Sequence, residues 1–352
     1  MMRALKLALL LALLLAVQPV AAQDWQTNIV TGGASGTYIQ IGRDIAKIGA
    51  DCGRALQVQE SAGSLENILA VRDRPLTQLG IAQSDVLEYV RTFQSDDPVL
   101  ARAAKGVRIV FPLYDEEIHV LARKDIADLA GLAGKRVSTG VEGSGNSLTA
   151  SLLLDLAKVE PAERVKLSPK DSLAALLAGE IDAMFYVVGA PAALFKDAQI
   201  DPQQYHLLPL KDAVLQQLYT PARIATGTYT FQQDTVDVVA VKAVLITFNF
   251  VPQRNPYQAA SCRTVADISH LILSRLDQLK ESGHPKWKSV DLTALPPGWT
   301  VSDCVLEGIA PGYAFTCRRP DGTEAREGGA DPAGTDANRL YRERVCARLG
   351  DC

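Results

Sequence analysis

TGGASGTYIQIGRDIAKI (Thr31–Ile48) decides how the chain is read. Its first seven residues hold three glycines, a serine and two threonines. The run that follows is amphipathic: Ile41, Ile45 and Ile48 fall at i, i+4 and i+7, one face of a helix. QTNIV, just before it, has the character of a strand. A loop that costs so much conformational entropy between a strand and a helix suits a phosphate cradle, a nucleophile turn or a seat for some other anion.

The same unit recurs downstream. ALQVQES reads as a second strand, followed by a helix that Ser64 could cap, with Leu65, Ile68 and Leu69 inward. LGIAQ is a short apolar strand before Ser84-Asp85 and a helix carrying Val86, Tyr89, Val90 and Phe93. Such repetition predicts a parallel sheet with helical crossovers. After VRIVFPLYDEEIHVLARKDI the pattern restarts: KRVSTG is a strand, VEGSGNS a turn, LTASLLLDLAKV a helix, and DSLAALLAGEIDAMFYV a helix followed by a buried strand. IHVLARKDI (118–126) and VVAVKAVLITF (238–248) are extended runs entering and leaving this second unit, as paired hinge strands would. The expected organisation is a first lobe of 23–118 plus 245–290, a second lobe of 119–244, and a small cysteine-containing C-terminal extension, 291–352, with a flexible, Gly- and Asp-rich connector.

Residues 1–22 read as a cleaved signal peptide: Arg3 and Lys6, then LALLLALLLAV, which is short for a membrane span, then Val20-Ala21-Ala22. The chain is therefore expected to be exported and soluble. Its formal charge of −4 falls to about −6 without Arg3 and Lys6, and no polybasic patch invites nucleic acid or anionic membranes. In an oxidising compartment the six cysteines are expected to pair. Of 15 connectivities, loop geometry favours Cys304–Cys317, Cys346–Cys352 and Cys52–Cys262. No C-x-x-C pair suggests zinc, no metal is expected, and no cofactor is implied.

Four turns, GGASGTY (32–38), SAGS (61–64), AQSD (82–85) and EGSGNS (142–147), sit where parallel strands end and helices begin. That edge is where open α/β sheets bind ligands, and helix N-termini offer free amides and partial positive charge. SAGS and AQSD are explained by capping alone; GGASGTY and EGSGNS carry more glycine and hydroxyl than a cap needs. Tyr186 in FYVV reads as core unless it faces the cleft. Walker, dinucleotide and G-x-S-x-G patterns are missing, and the four histidines are scattered, which argues against nucleotide binding and hydrolysis.

Seven stretches in order resemble the TAXI family of TRAP-transporter solute-binding proteins: TGGASGTYIQIGRDIAKI, SAGSLENILAV, LGIAQSDV, LYDEEIHVLARKDI, LAGKRVSTGVEGSGNSLTASLLL, GEIDAMFYVVGAP and VDVVAVKAVLITF. The likeness runs from about 28 to 290. It implies a two-lobed, periplasmic-binding-protein-like (type II) α/β fold that closes over a small organic anion of the glutamate or 2-oxoglutarate type. It also implies delivery to a sodium-driven TRAP permease in the membrane, with no catalysis, by a protein expected to be a monomer. Carried to matching positions, it implies ligand contacts from Ser35, Gly36, Thr37, Tyr38, Gln83, Ser84, Ser144, Gly145, Asn146, Ser147 and Tyr186. Glu142 stands where the family more usually has a small residue, and an acid there would repel a second carboxylate or hold an amino group. The competing readings are a receptor for an ATP-driven importer, a sensor and a periplasmic hydrolase.

Overall fold

The computed structural model describes residues 26–34, 36–318 and 322–328, with Tyr341, Glu343 and Ala347. The stretch 1–22 expected to be a signal peptide, Ser35 and the expected Cys346–Cys352 pair lie outside the described residues.

Three short parallel strands open the chain: β1 (Asn28–Val30), β2 (Gln57–Gln59) and β3 (Thr77–Gln83). They are followed by helices α1 (Thr37–Ala50), α2 (Ser64–Asp73) and α3 (Val86–Phe93), respectively. Every residue of β3 is buried, as expected of a strand covered on both faces. β4 (Val107–Arg123) then runs 17 residues without a break. Beyond it the strand–helix pattern returns with β5 (Arg136–Ser138), α4 (Gly145–Leu156), β6 (Glu163–Val165), α5 (Pro169–Leu177) and β7 (Ala183–Val188). β8 (Tyr205–Leu207), β9 (Thr220–Ile224) and β10 (Val236–Phe248) complete the ten-stranded sheet.

The strand order, β2-β1-β3-β10-β4-β7-β5-β6, is the same pattern met twice. In one half β2-β1-β3 are parallel and β10 joins them antiparallel; in the other β6-β5-β7 are parallel and β4 joins them antiparallel. β4 and β10 pair with each other and belong to both halves. This is the two-lobed, type II α/β arrangement with two hinge strands. The buried apolar side chains divide accordingly. Val107 to Tyr114 of β4 and Ala243 to Ile246 of β10 pack with the first lobe. Ile118 to Ala122 and Val238 to Val241 pack with the second. At the crossing, Lys242 Nζ lies 2.6 Å from Asp115 Oδ1.

Described residues beyond 290 pack into the first lobe. Leu292, Leu295, Trp299 and Val301 enter its core, as do Cys304 and Val305 of α7, where α6 is Pro256–Ser274 and α7 Asp303–Gly308. The disulfides are Cys52–Cys317 and Cys262–Cys304, so the expected Cys304–Cys317 and Cys52–Cys262 pairs are corrected. The expectation joined cysteines close in sequence across a hairpin. Instead, Cys317 sits on a strand paired with Glu324–Gly328, opposite Ala325, and meets Cys52 just past the end of α1, while α7 lies against α6, which brings Cys304 to Cys262.

Candidate functional site between the lobes

Strand ends of both lobes point their following helices at one cavity of about 240 Å3. From the first lobe it is lined by the β1–α1 loop (Gly32, Gly33, Gly36), the α2 turn (Ser61–Ser64) and Gln83 at the end of β3. From the second come Gly140, Val141, Ser144, Gly145 and Asn146, with Ser168 and Pro169 at the start of α5 and Tyr186–Val188 of β7. Glu116, on β4, lines it at the hinge.

The helix ends differ in a way that matters. α1 starts at Gly36 and α2 at Gly63, neither of which has a side chain to cap the first turn. Their orphan amides and positive dipole ends therefore lack the usual side-chain acceptor. Gly63 sits at φ +123°, a conformation that favours glycine, so the turn can pass close to the other lobe. α4 is capped conventionally: Ser144 Oγ accepts from the Ser147 amide at 3.1 Å and donates to the Val141 carbonyl at 2.5 Å. Among the described residues no hydrogen bond takes the amides of Gly145 and Asn146, the next two on that helix.

The lobes touch around this cavity. Leu65 N donates to the Gly143 carbonyl at 3.3 Å, and Thr149 Oγ1 reaches Gln83 Oε1 at 3.1 Å. Gly145 packs so closely that a β-carbon there would collide with Gln83 Oε1 and Ser64 Oγ. Ser64 is not a cap but an acceptor for the Gln83 amide at 3.0 Å, which ties the α2 turn to the end of β3.

Of the residues singled out in the sequence, Gly36, Thr37, Tyr38, Gln83, Ser144, Gly145, Asn146 and Tyr186 line the cavity. Ser84 and Ser147 do not. Ser84 is held by its backbone: its amide donates to the Lys242 carbonyl at 2.8 Å and its carbonyl accepts from Trp299 Nε1 at 3.0 Å. Ser147 supplies the capping amide of α4. The Asn146 side chain is spent on structure, donating to Thr139 and Phe185 carbonyls and accepting from the Val187 amide at 2.7 Å. Glu142 is exposed and pairs with Lys166 at 2.7 Å, outside the cavity lining.

The acid that does line the cavity is Glu116, 3 % exposed. Its Oε2 accepts from Tyr38 Oη at 2.7 Å. Burial pushes its carboxyl up to about 8; the Tyr38 bond and Lys286 pull it down, while Asp85 and Glu117 push it further up. Burial also raises the hydroxyls of Tyr38 and Tyr186, the latter to about 12. Sequence reasoning passed over Glu116; the available signal was three consecutive acids, Asp115–Glu117, within an otherwise apolar hinge strand. Among the described residues no cluster of His, Cys, Asp and Glu could hold a metal ion, and no helix is long and apolar enough to cross a membrane.

Comparison with solved structures finds the glutamate-bound GluR0 ligand-binding core from Nostoc punctiforme, at 18% identity over 75% of this chain and 96% of that one (TM-score 0.40). It also finds a periplasmic transporter at 14% identity over 92% and 96% (TM-score 0.44), and the periplasmic binding protein BugD at 11% over 73% and 86% (TM-score 0.45). Residues 29–295, which carry both lobes and every lining residue of the cavity, match the NMT1-like family, and the chain belongs to that family.

Proposed function

We propose that this is a periplasmic solute-binding receptor, exported by a cleaved signal peptide, that closes over a small organic anion and delivers it to a sodium-driven TRAP permease. The observation that carries this reading is the convergence of three helix N-termini, at Gly36, Gly63 and Ser144, on one small cavity between lobes joined by two strands. Helix N-termini bind carboxylates through amides and dipole. At about 240 Å3 the cavity falls below the roughly 300–1,000 Å3 of sites for drug-sized ligands, which suits a guest of metabolite size. Membership of the NMT1-like family and the TAXI-like order of the sequence motifs support the same assignment.

A hydrolase is disfavoured. Among the described residues no histidine lines the cavity, and His119 is buried with Nε2 2.7 Å from Tyr229 Oη. The direct test is ligand-dependent melting of the mature protein against amino acids, 2-oxo acids and C4-dicarboxylates. A true ligand at a hundred times its Kd adds about 2.7 kcal/mol of stability. If no small anion moves the melt, the receptor reading is wrong.

A further inference from the structure

Within that reading of the cavity as a ligand site, we propose that Glu116 selects the guest: it accepts a hydrogen bond from a protonated amine, so the cavity takes zwitterionic amino acids in preference to simple dicarboxylates and 2-oxo acids. Three observations converge. Among the described residues the lining holds no lysine, arginine or histidine, and Glu116 is its one carboxyl group. Oε2 is fixed by Tyr38, whereas Oε1 has no partner among the described residues, and the side chain is more than nine-tenths buried. Glu116 lines the cavity, so a guest that brings a charged N–H donor can form a charge-assisted hydrogen bond there.

The two ends of the cavity then differ in chemistry. The first-turn amides that follow Gly36 in α1, and those that follow Gly63 in α2 apart from Leu65, have no side-chain cap and suit a carboxylate, while the hinge end presents an acid. A second carboxylate placed at the hinge end gains no ion pair there: it meets a neutral carboxyl, or a like charge once that carboxyl ionises. Glu142, the acid that first raised the question of an amino group, faces Lys166 instead.

The groups facing Glu116 are Tyr38 of α1, Tyr114 and Glu117 of its own strand, Tyr186 of β7, Asp85 beyond β3, and Lys286. With its carboxyl pushed up to about 8 by burial, Glu116 is mostly protonated at neutral pH before a guest arrives. An incoming ammonium, already charged, stabilises the carboxylate, and the Glu116 proton leaves to solvent.

The experiment is calorimetric titration of the mature protein at pH 7 in buffers of different ionisation enthalpy. Matched pairs would be L-glutamate and 2-oxoglutarate, L-glutamine and glutaramate, L-leucine and 4-methyl-2-oxopentanoate, and L-alanine and pyruvate. At least one amino acid is expected to bind ten- to a hundredfold more tightly than its partner lacking the amine, roughly the range of one charge-assisted hydrogen bond. It should release close to one proton. Glu116→Gln should weaken that amino acid by a similar factor and abolish the proton release. If the partner without the amine binds as tightly, or the variant behaves as wild type, the assignment of Glu116 is overturned while the receptor reading stands. If nothing in the panel binds the wild-type protein, the assignment of Glu116 falls, and the wider melting screen decides the receptor reading. Should Glu116→Gln not fold, the proton count on wild type decides by itself.

Discussion

Asp85, at the end of the first lobe's third strand unit, accepts a 2.8 Å hydrogen bond from Thr149 Oγ1 in the second lobe. Tyr219 Oη, also from the second lobe, donates to the same carboxylate oxygen at 3.0 Å. The contact closes the cleft beside Gln83, which Thr149 also touches. It extends the polar contacts between the lobes, and the acid within it is not fully at ease. Burial pushes Asp85 up to about 6, although both hydroxyl donors pull the other way.

The raised carboxyl makes stability depend on pH in a defined direction. Asp85 binds its proton more tightly folded than unfolded, so its favourable contribution is complete below about pH 3.8 and is lost as pH climbs to about 6. Ionising it in place costs about 3 kcal/mol by the usual conversion. Asp85→Asn keeps an acceptor for Thr149 and Tyr219 without the charge. Its melting temperature at pH 7.5 should exceed that of wild type, and its melting curve should change less between pH 4 and 6. Equal slopes for both proteins in thermal scans across that window would rule the account out.

Gly145→Ala tests closure. A methyl group there runs into Gln83 Oε1 and Ser64 Oγ, both contributed by the other lobe. The backbone of α4 can carry alanine without strain, so each lobe should fold and the ligand-free melt should stay within about 1 kcal/mol of wild type. What should disappear is the ligand-induced stabilisation of about 2.7 kcal/mol expected at a hundred times Kd. A variant that melts normally and still shows the full ligand shift would mean that the observed lobe contact is not the bound arrangement.

Much of this architecture is legible in the residues. The glycine density of TGGASGTY and the spacing of Ile41, Ile45 and Ile48 suffice to place a turn and a helix, and VVAVKAVLITF is a hinge strand by its apolar length. β4 is harder. Its extended run was visible from Ile118, but the strand begins at Val107 and passes without interruption through Asp115, Glu116 and Glu117. Consecutive acids ordinarily signal a solvent-facing loop; here Lys242 pairs with Asp115, Tyr38 bonds one oxygen of Glu116 and Lys286 holds Glu117, all from distant parts of the chain. Ser144 shows the opposite difficulty. A serine before a helix reads equally as cap or ligand contact, and only the structure reveals that its hydroxyl is committed to Ser147 and Val141. Disulfide partners were out of reach because pairing follows the docking of α7 and the C-terminal hairpin on the first lobe, not separation along the chain.

The Cys52–Cys317 bridge spans 265 residues of sequence and fastens the C-terminal hairpin to the end of α1. Neither cysteine lines the cavity. Paired Cys52→Ser and Cys317→Ser substitutions are therefore expected to lower stability by about 2–5 kcal/mol while leaving ligand affinity within about twofold of wild type, since the bridge is remote from the cavity lining. Denaturant melts and binding titrations on the same preparation separate the two quantities. A large loss of affinity with folding intact would tie the C-terminal segment to the ligand site.

Lys286 holds the hinge from outside the strands. Its Nζ lies 2.8 and 2.9 Å from the two oxygens of Glu117 and 3.1 Å from the Asp115 carbonyl, and the paired side chains are only 12% and 15% exposed. The Ala190 amide also donates to Glu117 at 2.6 Å, so the acid would not be wholly abandoned without its lysine. Lys286→Met leaves a largely buried carboxylate without its cation and should cost about 3 kcal/mol, the lower end for a broken buried pair. Adding Glu117→Gln removes the stranded charge while keeping an acceptor for Ala190, so the double variant should be more stable than Lys286→Met alone. A coupling of about 1–3 kcal/mol in a denaturant double-mutant cycle is the expected result. Strict additivity would mean that the two side chains act on the hinge independently, and that hinge stability comes from the paired strands β4 and β10 rather than from this ion pair.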